Sequence, residues 1–255
     1  MLLAGKRLLI TGVRNEESLA FAVARLAREH GAELILTAPA RALDDTRAMA
    51  QQLPVPPQVV EFDVTVPEQL AAVSDAVRQR WDAVDGALHS IAFGPRTTIG
   101  GDFLDTPWED VATALQVSAY SLKVVAQAVL PLMREHGGNI VALDFDGRFV
   151  WPNYNWMGVS KAALEATARY LAWRLGPYGI TVNLVAAGPI VTAAAQGVEG
   201  AEEGRSPWDE RAPLGWSPTD PVPTAKTCLA LFAGLLPATT GEQIHVDGGY
   251  HAMGG

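Results

Sequence analysis

The sequence predicts a single α/β domain over residues 1–255, with a doubly wound parallel sheet of about seven strands. Two observations predict it. Short apolar runs rich in β-branched residues alternate along the chain with helical patterns, which is typical of βαβ units and a parallel sheet. The chain is 255 residues long, 49% hydrophobic and 18% charged. This composition is enough to bury one large core and argues against a disordered chain.

The seven predicted strands are the short apolar runs of the chain. They cover 7–11, 33–37, 58–62, 86–92, 139–145, 180–186 and 242–246. Two of the helical patterns between them end at Gly31 and Gly137, and glycine commonly ends a helix. The irregular segment 188–216, rich in Gly, Pro and Glu, falls between strands six and seven, and we expect it to be a lid.

Charge and cysteine content narrow the partners and the compartment. The formal net charge is −9 with no basic cluster, which argues against nucleic acid and anionic membrane surfaces as partners. The single cysteine, Cys228, cannot form an internal disulfide, which agrees with a reducing cytoplasm. The N-terminus enters a strand at residue 7 and leaves no room for a signal peptide. We therefore expect a cytoplasmic protein.

In a doubly wound sheet, ligands bind at the carboxyl ends of the strands. No G-x-G-x-x-G follows strand one, but Gly12 can form the tight turn, and Ser18 can cap a helix whose N–H groups favour a pyrophosphate. A serine cap alone is common to many helices. After strand three, Asp63 and Val64 either hold an adenine or begin a turn.

The histidines indicate no metal site. None of the five has an H-e-x-x-H or similar spacing, and His89 is interpreted as a core histidine with its hydrogen bonds satisfied. No G-x-S-x-G is present, which argues against a hydrolase.

Tyr154 and Lys161 are seven residues apart at the start of a predicted helix. Seven residues make two turns, so the phenol and the ammonium are expected on one face of the helix. Taken alone, such a pair is far more often a buried tyrosine and a lysine with its charge at the surface than a functional pair.

The motifs together carry a resemblance. "TGVRNEESLAFAVA", "EFDV", "HSIAFGP", "SAYS", "DFD", "PNYNWMGVSKAALE", "NLVAAGPI" and "DGGY" occur in the order typical of the divergent short-chain dehydrogenase/reductases, which have a Rossmann-like fold. Within that class the chain resembles the enoyl-acyl-carrier-protein reductases, most of all the actinobacterial, isoniazid-target type, over nearly its whole length. "RAPLGW" and "LPATTG" support that type.

The resemblance gives the tyrosine–lysine pair a function. In the related ketoreductases the two residues lie four apart, and the tyrosine protonates oxygen on the carbon that receives hydride. An enoyl thioester receives hydride at its β-carbon, two bonds from the carbonyl carbon, so a tyrosine one turn earlier suits the displaced oxygen. The resemblance thus implies that Tyr154 stabilises the enolate, Lys161 holds the nicotinamide ribose, and Phe145 flanks nicotinamide and substrate.

The resemblance also implies the remaining site residues. The residues expected to bind the dinucleotide are Gly12, Ser18, Leu19, Asp63, Val64, Ile91, Ala92, Lys161, Ile190 and Thr192. Met157 and Trp208, together with Tyr154, are expected to line the acyl pocket, although Met157 and Trp208 could equally be ordinary core.

The cofactor is expected to be NADH, with NADPH not excluded. Pro39 and Ala40 stand where the mycobacterial type has an aromatic residue and an acid, so the carboxylate that would bind the ribose hydroxyls is missing. Arg41 could attract a 2′-phosphate, but Asp44 and Asp45 follow closely and would repel it.

The substrate is expected to be an enoyl thioester on acyl carrier protein. Short to medium acyl chains are expected because the lid residues are small or acidic and offer little apolar surface to a long chain. An acidic carrier would be repelled by that lid, so docking would use Arg96 or Arg205. A coenzyme A thioester and a polyketide intermediate remain alternative substrates. A ketoreductase and a non-catalytic dinucleotide sensor remain alternative functions. The resemblance implies a homotetramer built partly on helices around 107–136 and 154–175.

Overall fold

The computed structural model describes residues 1–192 and 206–254. Seven strands form one sheet in the order β3-β2-β1-β4-β5-β6-β7, and every neighbouring pair is parallel, which confirms the predicted fold class. The strands are β1 (Arg7–Thr11), β2 (Glu33–Ala38), β3 (Gln58–Glu61), β4 (Gly86–His89), β5 (Gly138–Asp144), β6 (Ile180–Ala187) and β7 (Gln243–Val246).

Helices cover both faces of the sheet. They are α1 (Leu19–Glu29), α2 (Leu43–Gln51), α3 (Glu68–Arg78), α4 (Trp108–Leu115), α5 (Ser121–Met133), α6 (Asn155–Leu175), α7 (Ser206–Arg211) and α8 (Val222–Phe232). Strand β1 shows why two cores form. Leu9 belongs to the core with α3, α5 and α6, whereas Leu8 and Ile10 belong to the core with α1 and α8, since successive side chains of a strand point to opposite faces.

The long apolar helix predicted around 107–136 is interrupted. A π-helical turn over Gln116–Tyr120 separates α4 from α5, a feature that hydrophobic periodicity does not reveal. The predicted stops hold, because Gly31 and Gly137 both have positive φ, at 92° and 73°. The stretch Trp108–Met133 is long and apolar enough to cross a membrane, but 56% of its most apolar window is buried inside the fold, as in a core helix.

The described ends of the predicted lid meet at one point. The Trp216 indole N–H donates to the Pro189 carbonyl at 2.8 Å, and the Val191 N–H donates to the Pro218 carbonyl at 2.7 Å. Residues 193–205 of the lid, among them Arg205, lie outside the described residues. The described segments on either side of 193–205 therefore meet beyond the end of β6, the strand between β5 and β7.

Candidate active site

Lys161 of α6 reaches the carboxyl end of β5. Its ammonium lies 3.6 Å from Asp144 Oδ1 and donates a hydrogen bond to the Leu143 carbonyl at 3.2 Å. Both side chains are almost completely buried, at 8% exposure for Lys161 and 0% for Asp144. A charged lysine is rarely buried without a partner. The structure therefore holds the Lys161 ammonium at the carboxyl end of β5, and its expected role in holding the nicotinamide ribose stays a prediction.

Asp144 belongs to a small buried network. The Gln243 amide donates to Asp144 Oδ2 at 2.9 Å and to Glu165 Oε1 at 3.0 Å, and the Gly147 N–H also donates to that Glu165 oxygen, at 2.8 Å. Burial raises the pKa of Asp144 from 3.8 to about 6, with Lys161 opposing the change and Glu165 adding to it. The Gln243 amide thus joins two buried carboxylates behind the site, one of which pairs with the Lys161 ammonium.

Tyr154 directly precedes α6, so the helix begins one residue later than predicted. Its neighbours Asn153 and Asn155 both have positive φ, at 65° and 40°, so the phenol's direction is set by these turns and not by helical periodicity alone. Its ring meets the Phe145 ring edge-on, with centroids 5.4 Å apart.

The Tyr154 phenol is suited to donate a hydrogen bond. Burial, and then the Asp144 carboxylate, raise its pKa above the ordinary value, so the hydroxyl keeps its proton at neutral pH. Within the described residues no side chain hydrogen-bonds to this hydroxyl. The carbonyl oxygen of a substrate could therefore accept a hydrogen bond from the Tyr154 hydroxyl without displacing another partner.

Phe145 also joins an aromatic cluster that sequence reasoning found only in part. Its ring lies 5.0 Å from Trp151 and 6.1 Å from Trp208, and Trp208 stacks on Tyr250 at 3.8 Å. These four side chains border a cavity of about 370 Å³. Trp151 and Tyr250 were not among the predicted site residues, although both border this cavity. Tyr250 belongs to the "DGGY" motif and Trp151 lies beside "PNYNWMGVSKAALE", but neither position specifies a contact between the two side chains.

Met157 lies away from this cluster. It is buried, its sulfur is 3.9 Å from Ser118 Oγ, and a side chain at Gly94 would collide with it. The loop after β4 and the π-helical turn therefore surround Met157, and it does not line the cavity. Its expected place in the acyl pocket stays a prediction.

The turn after β1 approaches the turn after β4 very closely. Gly12 has φ of 85°, and any Cβ there would overlap the Ser90 carbonyl. Only glycine fits such a position. β1 and β4 are the neighbours at which the strand order reverses, the place where a doubly wound sheet binds its ligand.

Ser18 occupies the N-cap position of α1, but the expected side-chain cap is wrong. Its hydroxyl accepts from the N–H groups of Arg14 and Asn15 and donates to Asn15 Oδ1 at 2.8 Å. The preceding loop turns back on itself, so its N–H groups are nearer than those of the helix. The first N–H groups of α1 thus receive no side-chain cap, which leaves them available to an anion.

Asp63 holds the turn after β3 and binds Arg41. Its carboxylate accepts from the N–H and the hydroxyl of Thr65 and from Arg41 at 2.9 Å. Burial alone would raise the pKa of Asp63, but the hydrogen bonds from Thr65 and Arg41 lower it below the ordinary value. Asp63 therefore forms the turn, one of the two roles that the sequence allowed for it, and its carboxylate stays ionised.

The remaining predicted dinucleotide residues lie at the same edge of the sheet. Ile91 and Ala92 follow β4, Ile190 and Thr192 follow β6, Val64 follows β3, and Leu19 opens α1. Parallel strands bring their carboxyl ends to one edge, so these positions converge around Gly12. The binding role of each stays a prediction.

His89 is buried at the end of β4, where its Nε2 contacts Ser121 Oγ at 2.7 Å while Nδ1 has no partner among the described residues. Burial, with the Lys161 charge adding, lowers its pKa from 6.5 to about 3, so the ring is neutral. The expected core histidine is thus only half satisfied. No cluster of three or more metal-ligating side chains occurs in 1–192 or 206–254, and the absence of a metal stays a prediction.

The sheet, the close turn at its switch point and the buried lysine beside a tyrosine define a dinucleotide-dependent oxidoreductase of the short-chain dehydrogenase/reductase class. Residues 12–251 match the family model described as "Enoyl-(Acyl carrier protein) reductase". The chain belongs to that family, and the resemblance drawn from the motifs is confirmed.

Relatives in this family match over nearly the whole chain. The enoyl-[acyl-carrier-protein] reductase [NADH] of Mycolicibacterium smegmatis is 44% identical, over 97% of both chains. The enzyme of the same name from Mycobacterium avium is 42% identical, again over 97% of both. A Staphylococcus aureus relative, 39% identical over 98% of both chains, is named for NADPH. Relatives of this family therefore differ in cofactor.

Proposed function

We propose that this chain uses NADH to reduce the trans-2 double bond of an enoyl thioester carried on acyl carrier protein, in fatty acid biosynthesis. The relatives named as NADH enoyl-[acyl-carrier-protein] reductases support it. The observation that carries it is the contact between the rings of Tyr154 and Phe145. Asp144, the residue before Phe145, holds the Lys161 ammonium. Where a ketoreductase needs a serine hydroxyl beside its tyrosine, an aromatic ring stands.

The described residues fit a dinucleotide. The turn at Gly12 admits nothing larger than a hydrogen, and the first turn of α1 has N–H groups without a side-chain cap. A pyrophosphate at that helix end would receive hydrogen bonds and the positive end of the helix dipole. These features would place the nicotinamide end of the ligand toward β5 and Lys161.

The proposed mechanism divides between Tyr154 and Lys161. Bound NADH would supply the hydride. Tyr154, neutral because its pKa is raised, donates a hydrogen bond to the thioester carbonyl oxygen, where negative charge develops as the β-carbon is reduced. Lys161 would bind the ribose hydroxyls of the dinucleotide, and its positive charge would favour the same developing oxyanion. Phe145 excludes water from one side of the reacting atoms.

The arginines near the adenosine end support NADH. Arg41 pairs with Asp63, Arg14 with Asp45 at 3.4 Å, and Arg47 with Asp44 at 3.1 Å. A 2′-phosphate is normally bound by more than one unengaged cation. Each of these three guanidinium groups already faces a carboxylate, so no preformed phosphate clamp stands after β2 or β3 in the described chain.

Arg96 supports docking of an acidic carrier. It is exposed, and no described side chain pairs with its guanidinium. Exposed apolar side chains lie near it in sequence, among them Phe93, Phe103 and Trp108. An exposed cation in a segment with several exposed apolar side chains is suited to an acidic protein partner. The other predicted docking residue, Arg205, lies outside the described residues.

Assembly as a homotetramer is supported by the outer faces of α5 and α6. Tyr120, Tyr170 and Trp173 are 53%, 76% and 76% exposed, and they border one shallow apolar surface together with Leu171. Contiguous exposed aromatic side chains mark interaction surfaces. A cytoplasmic location agrees with Cys228, a buried thiol without a partner for a disulfide.

The test is an assay with three substrates: a crotonyl thioester on acyl carrier protein, crotonyl-coenzyme A, and a β-ketoacyl thioester, each followed at the nicotinamide absorbance band. Oxidation of NADH with the first, faster than with the second, is expected. Tyr154→Phe should lower turnover, and Tyr178→Phe, in the turn that follows α6, is its matched control. Turnover of the β-ketoacyl thioester alone, or of none of the three, would overturn the proposal.

A further inference from the structure

The two indoles of the aromatic cluster are anchored in the same way. The Trp151 indole N–H donates to the Asp146 carbonyl at 2.6 Å, and the Trp208 indole N–H donates to the Asp247 carbonyl at 3.2 Å. Asp146 lies just beyond β5 and Asp247 directly follows β7, on either side of β6. The positions of both rings therefore depend on where the backbone of these two aspartates lies.

Each of these aspartates is itself held by a histidine. Asp146 Oδ2 lies 3.0 Å from His245 Nε2, and Asp247 Oδ1 lies 3.0 Å from His251 Nδ1. The two imidazole rings stack on each other, with centroids 3.9 Å apart and planes 19° from parallel. A continuous line of contacts thus joins the loop after β5 to the loop after β7, across the end of β6.

His245 is the central link of this line. Its Nε2 is 3.0 Å from Asp146 and 2.9 Å from an Arg148 nitrogen. A guanidinium only donates and a carboxylate only accepts, so Nε2 binds the first when it lacks a proton and the second when it carries one. Either way the ring ties β7 to the Asp146–Arg148 pair, whose own contact is 2.7 Å.

The charges around His245 keep the Asp146 carboxylate ionised. Burial would raise the pKa of Asp146, but Arg148 and His245 lower it to about 2. Asp247 also accepts from the N–H groups of Gly249 and His251, each at 2.9 Å. The anchoring loops are therefore fixed by charge-assisted hydrogen bonds, the stronger kind.

We propose that His245, through Asp146 and the stacked His251, positions Trp151 and Trp208 as a wall of the acyl pocket and thereby limits acyl length. The inference rests on the proposed function. The two rings, with Phe145 and Tyr250, border the cavity of about 370 Å³, which is within the size range of small-molecule sites. Loosening the wall would let longer acyl groups enter that space.

The test compares kcat/KM for a twelve-carbon and a four-carbon enoyl thioester, because loss of folded enzyme lowers both equally and leaves their ratio unchanged. His245→Phe keeps a stacking ring but loses the Nε2 contact. We expect the long-to-short ratio to rise about fivefold, the size expected from one lost hydrogen bond. His245→Gln, whose amide nitrogen can reach Asp146 but which loses the ring that stacks on His251, should raise the ratio less than His245→Phe does. His136→Phe, at the opposite end of β5, should match wild type.

The outcomes separate the inference from the function. Wild-type enzyme that reduces neither thioester would overturn the proposed function. Wild-type enzyme that reduces both, with His245→Phe at the wild-type ratio, would overturn the positioning role and leave the function intact. A raised ratio in His245→Gln equal to that of His245→Phe would also contradict it, since the hydrogen bond would then be irrelevant.

Discussion

The ammonium of Lys161 lies 3.6 Å from a carboxylate oxygen of Asp144, and both side chains are buried at the end of β5. Asp144 is also joined through Gln243 to Glu165, four residues after Lys161 on α6. The cation is thus held on protein groups before any ligand binds. This preorganisation separates the role of Lys161 from that of Tyr154, whose hydroxyl has no partner in the described chain.

Lys161→Ala should weaken cofactor binding severely, because the ammonium is the group placed to hold the ribose. Tyr154→Phe should leave the Kd for NADH nearly unchanged and lower kcat by about 10²–10³, the usual loss for one oxyanion donor. Fluorescence titration with NADH and steady-state kinetics measure the two effects. Equal losses of cofactor affinity in both variants would contradict this division, and Tyr178→Phe serves as control.

Asp144→Asn should change how stability depends on pH. The raised pKa of Asp144, about 6 against 3.8, means that the folded state binds the proton more tightly than the unfolded state. Its stabilising contribution is therefore fully present below about pH 4 and lost as pH rises through about 6. Free energies of unfolding in urea, measured from pH 4 to 7, should fall with rising pH more steeply in wild type than in Asp144→Asn.

The matched control for this titration is Asp75→Asn, which removes an exposed carboxylate of α3 paired with Arg78. Its pH profile should run parallel to that of wild type. Parallel profiles for wild type and Asp144→Asn would show that Asp144 does not titrate in this window.

The enzyme should prefer NADH to NADPH, because Arg41 is paired with Asp63 and no second free cation lies beside it in the described residues. Asp63→Asn should release Arg41 and narrow the preference by raising kcat/KM for NADPH. Arg47→Ala, which breaks only the exposed pair with Asp44, should leave the preference unchanged. A wild-type kcat/KM at least as high with NADPH would overturn the prediction.

Trp208→Ala should move the acyl-length optimum toward longer chains. Wild type should prefer short and medium chains, since Trp208 is buried against Phe145 and Tyr250 and occupies space that a longer chain would need. Each methylene admitted and buried contributes roughly 0.8 kcal/mol. A series of kcat/KM against acyl length measures it. An optimum at the longest chains in wild type, or an unmoved optimum in the variant, would disprove the idea.

Trp173→Glu should dissociate the proposed tetramer, because a carboxylate would have to be desolvated in an interface built on α5 and α6. Sedimentation at micromolar concentration should give a tetramer for wild type and smaller species for the variant. Leu235→Glu, at an exposed apolar residue beyond α8, is the control and should stay tetrameric. A stable wild-type monomer would refute the assembly.

Much of the fold was predictable because its signals are local. All seven strands lie within a few residues of the predicted runs, and the helices before Gly31 and Gly137 end where glycine predicts. The π-helical turn at Gln116–Tyr120 was not predictable, because it depends on packing between helices and not on apolar periodicity. The cap at Ser18 was wrong for a similar reason, since two sets of N–H groups compete for one hydroxyl.

The sequence by itself determined the fold class, the family and the identity of the tyrosine–lysine pair, because periodicity and motif order are written along the chain. Only the tertiary structure decided which side chains surround that pair. Asp144 contacts Gln243, and Asp146 contacts His245, although the two residues of each contact are 99 positions apart in the sequence. The tertiary structure also decided that Arg41 faces Asp63 and that Trp208 stacks on Tyr250. A side chain binds whatever donor or acceptor the sheet brings within about 3 Å, and spacing along the chain does not specify which one that is.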